Sequence, residues 1–433
     1  MCDLPLSSIA EVNPTVRIPR NLSGKDAVSF IPMGDVSESG HWTFKQIRPL
    51  RSIAAGFTAF NEGDILVAKI TPCMENGKGA HALGLENGLG FGSTEFHVLR
   101  ARPGNAQRFV FHLTQWRKFR HAAEGQMVGS AGQQRVPRSF FDEFLVANFD
   151  PDEQSTLAKI LDTLDTAIHE TEAIIAKLKA VKQGLLHDLL TRGIDANGEL
   201  RPPQAEAPHL YKTSRVGLIP KTWELRGVLD VAPEDRQSIL TGPFGADLGQ
   251  SDFRPEGVPV LRIGNVQSGF IDWSDTQYVT QHKANSLAKY LIQEGDLLFA
   301  RQGATTGRNA LADARADGAV INYHIIRVAV DKARCHPSYL YAVFNSDNTK
   351  SQVDQVKGRG TREGINSAQI AALSFALPQP EEQLEAVKRM ASIDESIRSE
   401  SALRANLLLQ KISLMDDLLT GRVRVTPLLE AAE

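Results

Sequence analysis

The chain has 433 residues, 42% of them hydrophobic and 23% charged, with a formal net charge of −3. That length exceeds one ordinary core, so two to four domains are expected, and the composition is that of a globular protein with no global bias towards nucleic acid. There is no apolar run of about 18 residues, no basic and apolar leader in the opening MCDLPLSSIAEVNP, and no C-x-x-C pair among Cys2, Cys73 and Cys335. The expectation is a cytoplasmic chain without a membrane span, a disulfide framework or a zinc scaffold.

In chain order, residues 1–150 are rich in glycine, proline, aromatic and β-branched residues and predict a mixed α/β domain. Inside it, EGDILVAK (62–69) reads as an acidic turn, a buried strand and a base, followed by the glycine-containing loop ITPCMENGKGA (70–80). Between Arg100 and Arg138 stand eight basic residues against the single acid Glu124, which suggests either a phosphate-binding surface or merely solvated faces. GSAGQQRVP (129–137) then leads into a long helical pattern over 151–192. Its apolar positions Leu157, Leu161, Leu164, Ile168, Ile175, Leu178, Leu185 and Leu189 alternate steps of three and four, with Thr171 and Lys182 as polar breaks. Pro151 suits the first helical position, and Asp150 with Glu153 forms a capping box.

A proline-rich stretch at 193–218 reads as a linker. Residues 219–379 repeat the mixed α/β composition. Here EGDLLFAR (294–301) is followed by QGATTGRNA (302–310), and GRGTREGIN (358–366) closes a second basic stretch, Lys350, Lys357, Arg359 and Arg362 against Asp354. A second helical pattern covers 380–425, with Met390, Ile393, Ile397, Leu407, Leu414 and Leu418 on the seam and Glu400, Arg404 and Lys411 interrupting it. Residues 426–433 form a tail.

The two helices are copies. At a constant offset of 229, residues 151–191 lie over 380–420 without a gap, and 15 of the 41 positions are identical, DLLT at both ends included. The preceding segments are related more weakly: SFIPMGDV (29–36) resembles PVLRIGNV (259–266), and the two EGD runs match. The expected fold class is therefore α+β: two mixed α/β domains alternating with two long helices of roughly 60 Å. The helices pair as an antiparallel coiled coil, and the whole is a pseudo-twofold internal repeat. A shared spacer with divergent heads suits a ruler that reads two different things a set distance apart.

With its doubled P-x-E-Q…D…LL…DLLT pattern, its two EGD strand–loop units and GRGTREGIN ahead of ALPQPEEQ, the chain resembles the specificity subunit of a type I restriction–modification system over nearly all its length. The resemblance implies that each α/β segment is a target recognition domain reading half of an asymmetric bipartite site in double-stranded DNA. The paired helices would set the unread gap and dock two modification (methyltransferase) subunits, which restriction (motor–nuclease) subunits would join. The chain itself would be non-catalytic and carry no cofactor or metal. The assembled complex would be an adenine-specific DNA methyltransferase and ATP-dependent endonuclease, its partners using S-adenosylmethionine, ATP and Mg. Consistently, the sequence has no N-P-P-F/Y or D-P-P-Y signature, no P-loop and no metal spacing among its 11 histidines.

Polar and basic side chains on loops held by rigid strands suit base-edge readout in the major groove. The candidates are Lys69, Thr71, Asn76, Lys78, Gln133, Gln134 and Arg135 in the first domain. In the second they are Arg301, Gln302, Thr305, Thr306, Arg308, Arg359, Thr361 and Arg362. Gly-Lys and Gly-Arg turns also occur simply as solvated hairpins, and Gln133 and Gln134 also suit a cap. Near-neutral charge predicts weak DNA binding by the isolated chain. The alternative reading is a non-enzymatic coiled-coil scaffold whose two α/β heads bind other proteins.

Overall fold

The computed structural model describes residues 3–130, 132–303, 306–356 and 364–427. Two compact units divide the chain, residues 1–174 with 400–433 and residues 175–399, so each long helix gives one half to each unit.

In the first unit an antiparallel sheet runs in the order Ala10–Val12, Phe96–Ala101, Ile65–Ala68, Gly79–His81. A second sheet runs Gln46–Pro49, Ala27–Ile31, Leu89–Gly92, Thr58–Asn61. The strand Ile65–Ala68 is buried on both faces, which is why it reads as an unbroken apolar run rather than an alternating one. The second unit repeats the first sheet as Ile239–Thr241, Ile325–Val328, Leu297–Ala300, Asn309–Leu311. The register repeats as well: Ala68 stands opposite Phe96, and Ala300 opposite Ile325. The acidic turns also match, since Asp64 accepts from Asn61 N (2.7 Å) and Asp296 from Gln293 N (2.9 Å). A further sheet of the second unit has three strands, Gln277–Val279, Val258–Leu261 and Val320–Ile321, beside two two-stranded ones.

The duplicated helices span Pro151–Thr191 and Pro380–Leu419. Asp150 accepts from Glu153 N (2.8 Å), and Glu153 Oε2 accepts from Asp150 N (3.3 Å), which completes the capping box. The repeated Glu-Gln that follows each proline has a division of labour. The glutamine ties its helix to the adjacent domain: Gln154 accepts from Ala106 N (3.0 Å), and Gln383 accepts from His336 N (2.8 Å). The glutamate ties down the chain that leaves the other helix. Arg424 and Thr426 donate to Glu153 in the first unit, while Ile194 N, Arg201 and Trp223 Nε1 donate to Glu382 in the second. Gly193 makes that return possible. It sits at φ +65°, and a Cβ there would stand 2.2 Å from Glu382 Oε1, so only glycine satisfies both the left-handed helix end and the close approach.

The helices pair antiparallel. Within the first unit Lys411 donates to Asp165 and Arg404 to Glu172. Within the second, Lys182 donates to Asp394. Three of the polar breaks in the heptad pattern, Lys182, Arg404 and Lys411, thus make cross-helix ion pairs, while Thr171 donates to Ala167 O of its own helix. Asp165–Lys411 and Asp394–Lys182 are the same pair in the two copies. On the seam Leu157, Leu161, Ile168, Ile175, Leu189 and Leu418 are buried, while Leu164, Leu178, Leu185, Met390, Ile393, Ile397 and Leu407 are half-buried. Leu414 differs from expectation: it is 36% exposed, and the adjacent Met415 is buried at 4%. The steps from Lys411 to Met415 and on to Leu418 carry the four-three spacing here, which turns Leu414 one position off the contact line.

Asp165 and Lys411 are only 11% and 14% exposed, so breaking the pair leaves a largely desolvated charge. Asp165→Ala is expected to lower stability by about 3 kcal/mol. The exchange Asp165→Lys with Lys411→Asp should restore most of that loss in thermal melts.

Four histidines of the first unit, His41, His81, His97 and His112, have their pKa values lowered, first of all by burial. His81 falls to about 4, with Arg108 adding to the effect. Its ring lies 3.2 Å from Gly63 O and 3.3 Å from Arg108 Nη1, which suits a neutral ring donating to one and accepting from the other. An unfolded histidine titrates near 6.5, so the unfolded chain takes up protons first and stability falls as pH drops from about 6.5 to 4. His81 alone accounts for about 3 kcal/mol of that fall. His81→Gln should flatten this part of the stability–pH curve, as measured by urea unfolding at stepped pH. Among the described residues, no helix is long and apolar enough to cross a membrane.

Candidate nucleic-acid interface

In each unit the buried strand of the EGD run ends in a base and delivers the chain into a loop. The structure joins that loop to the segment ahead of the long helix, 60 or more residues later. In the first unit Val136 N donates to Lys69 O (2.9 Å) and Thr71 N to Gln134 O (3.0 Å). In the second, Ile365 N donates to Arg301 O (2.9 Å), and Gln302 bridges to Gly364. The same backbone clamp thus holds both pairs of loops. The nominated residues of the two segments stand together at one strand end, as far as they are described.

Their side chains differ in availability. Asn76 and Gln133 are exposed, and Lys69, Thr71, Lys78, Gln134 and Arg135 are half-buried. Thr71 donates to Glu75, and Lys78 Nζ donates to Met33 O (3.3 Å). Arg135 is held in a two-pronged pair by Glu95, with Nε–Oε2 and Nη2–Oε1 both 2.9 Å. The Arg135 hydrogen bonds hold the Glu95 carboxyl below its ordinary range. In the second unit Arg301 donates to Tyr323 O (3.1 Å), and its Nε is buried and unpartnered among the described residues. Gln302 Oε1 lies 2.9 Å from His324 Nδ1, Thr306 donates to Gly303 O, and the exposed Arg308 donates to Gln267. Thr305, Arg359, Thr361 and Arg362 lie outside the described residues.

The first basic stretch presents less positive surface than its count suggests. Arg100 is paired with Asp64, Arg108 with Asp162 and Arg138 with Asp142, while buried Arg120 donates to Met74 O and Gly77 O. Only tertiary structure reveals this, because the acids lie 36 and 54 residues from Arg100 and Arg108. Arg117 and Lys118 are exposed.

Sequence spacing also missed a cluster in the first unit. The ligand atoms of His112, Asp162 and Asp165 lie within 4.8 Å of one another. Burial would raise the Asp162 pKa, but His112 (Nε2–Oδ1 2.7 Å) and Arg108 bring it below the ordinary carboxylate range. With Arg108 on Asp162 and Lys411 on Asp165, the cluster already has its cations, and it reads as a structural ion-pair network.

Residues 245–409 match the family model of the type I restriction modification DNA specificity domain. The type I restriction enzyme EcoAI specificity subunit of Escherichia coli is 27% identical over 68% of this chain and 60% of its own length. The EcoEI specificity subunit of Escherichia coli is 39% identical over 33% of this chain and 24% of its own length. The matched region therefore spans less than two thirds of either relative. The type I restriction–modification S subunit from M. genitalium has the same fold, with a TM-score of 0.55 at 12% identity over 96% of both chains. Residues 245–409 thus match that specificity domain in sequence, the chain is similar to type I restriction enzyme specificity subunits over about two thirds of its length, and along nearly all of it the chain shares the fold of a type I restriction–modification S subunit.

Proposed function

We propose that this chain reads a bipartite, asymmetric sequence in double-stranded DNA and carries no catalysis of its own. Residues 1–150 and 219–379 are its two target recognition domains. The spacer segments 151–192 and 380–425, whose helices span Pro151–Thr191 and Pro380–Leu419, fix the gap between half-sites and dock two modification subunits, with restriction subunits completing the complex. S-adenosylmethionine, ATP and Mg belong to those partners. The observation that carries the reading is the repeated clamp. Lys69–Val136 and Arg301–Ile365 hold equivalent loops in the same backbone geometry, while the side chains on those loops differ. Like frames with unlike loops suit two heads that read different bases.

One head cannot single out a site in a genome, because a good base contact discriminates by only ~1–3 kcal/mol. Two heads on a fixed spacer make the second encounter intramolecular. The engagement of Arg100, Arg108, Arg120, Arg135 and Arg138 within the protein favours partner subunits supplying much of the phosphate contact, so the isolated chain should bind DNA weakly. Nanomolar binding by the chain alone would contradict this.

The test is to co-express the chain with its modification subunits and map methylated adenines across a host genome. A single bipartite motif that loses one half when residues 62–80 are exchanged supports the reading and assigns the head. A stable complex without new methylation supports a protein-binding scaffold instead.

A further inference from the structure

The second unit carries a short aromatic ladder just after the strand Ile239–Thr241. Phe244 is 60% exposed and Tyr323 is 39% exposed. Their ring centroids lie 6.2 Å apart, and the rings of Tyr323 and His324 lie 3.7 Å apart, tilted by 38°. Scattered exposed apolar residues need no explanation, but these rings are contiguous and built into place. Gly242 packs so closely on residue 322 that a Cβ would stand 2.1 Å from Asn322 O. Only glycine lets the strand Ile239–Thr241 turn there and bring Phe244 beside Tyr323. Gly242 N also donates to Ile325 O (3.1 Å), and Asn322 Oδ1 accepts from His324 N (3.0 Å), which fixes both ends of the approach.

The ladder is continuous with the loop nominated for base contact. Arg301 donates to Tyr323 O, and Gln302 meets His324. In the first unit, Thr94 and Glu95 occupy the places of Tyr323 and His324, as the matching registers of Ala68–Phe96 and Ala300–Ile325 establish. There Glu95 is spent on Arg135.

We propose that Phe244 and Tyr323 form an apolar pad that reads a thymine C5 methyl in the half-site contacted by the second unit. This rests on the reading of that unit as a DNA-recognition head. In the major groove the thymine methyl is the apolar mark among donors and acceptors, and an aromatic side chain is a known kind of partner for it. A ring pad beside an arginine and a glutamine pairs an apolar reader with two polar ones along one base-pair edge. The first unit, with Thr94 and a paired Glu95 there, has no aromatic ring at these positions.

The experiment uses the full complex with its modification subunits and duplexes carrying the motif found by methylation mapping. The second unit's half-site is assigned by exchange of residues 294–310. Each thymine in it is replaced in turn by deoxyuridine, which lacks only the methyl. At one position the replacement should weaken binding about four-fold, the equivalent of one buried methyl. In Phe244→Ala, and separately in Tyr323→Ala, thymine and deoxyuridine at that position should bind alike, with the salt dependence of binding unchanged because no phosphate contact is lost. The pad is overturned by a half-site without thymine, by no deoxyuridine penalty, or by a penalty undiminished in both variants. A complex that prefers no sequence at all overturns the DNA-reading proposal itself and the pad with it.

Discussion

Replacing Glu382 by alanine is expected to destabilise the second unit by about 3–5 kcal/mol, the cost of removing one partner from a buried ion pair. Glu382 and Arg201 are 13% and 12% exposed in their side chains. The carboxylate also accepts from Ile194 N (2.8 Å) and from Trp223 Nε1 (3.1 Å), and Trp223 is 1% exposed. One substitution therefore strands a guanidinium, an indole N–H and a backbone N–H where water hardly reaches. Glu382→Gln keeps an oxygen for the two neutral donors but loses the charge, and it should fall between wild type and Glu382→Ala. Glu381→Ala, on the exposed neighbour, should stay within about 0.5 kcal/mol. Urea unfolding of the three variants checks the order. A Glu382→Ala midpoint equal to that of wild type would mean that the carboxylate does not clamp the returning chain.

That glutamate illustrates what a sequence discloses and what it withholds. The doubled Pro-x-Glu-Gln is visible at once, because identity at a fixed offset needs no structure. The role of each residue is not visible, because Glu382 is satisfied by Arg201, 181 residues earlier. The heptads are legible for a similar reason: period is local, and burial at Leu157, Leu161 and Leu189 follows it. Lys182, Arg404 and Lys411 could be read only as breaks in the stripe, since their partners Asp394, Glu172 and Asp165 lie more than 200 residues away. The basic stretch misled in the same way, for a count of arginines does not include the carboxylates that fold back on them. At the candidate interface the strand–loop units could be found by composition. The meeting of residues 69–71 with 134–136 could not, because a β-type clamp across 60 residues leaves no local pattern. The aromatic ladder was invisible for another reason: Phe244, Tyr323 and His324 are unremarkable until a glycine contact brings the first beside the second.

Inserting four residues after Ala176, in the first helix alone, is expected to abolish site-specific methylation or change the accepted gap, if the helices are the spacer proposed above. Four residues add about 6 Å of rise and about 40° of net rotation. The ion pairs fix one antiparallel register in each unit, Asp165–Lys411 and Glu172–Arg404 in the first and Lys182–Asp394 in the second. A one-sided insertion cannot satisfy all three with straight helices, so one set must slip by a turn or the added turn must loop out. A matching four-residue insertion after Ser399 lets every pair re-form on a longer spacer. The doubly lengthened chain should therefore regain activity on sites whose gap is longer by one to two base pairs, as 6 Å of rise compares with about 3.4 Å per base pair. Each half-site's base preference should be untouched in both variants. Methylation mapping reads all of this from one experiment. Recovery on the original gap would show that the helices do not set the spacing, and altered bases within a half-site would place the helices in the readout itself.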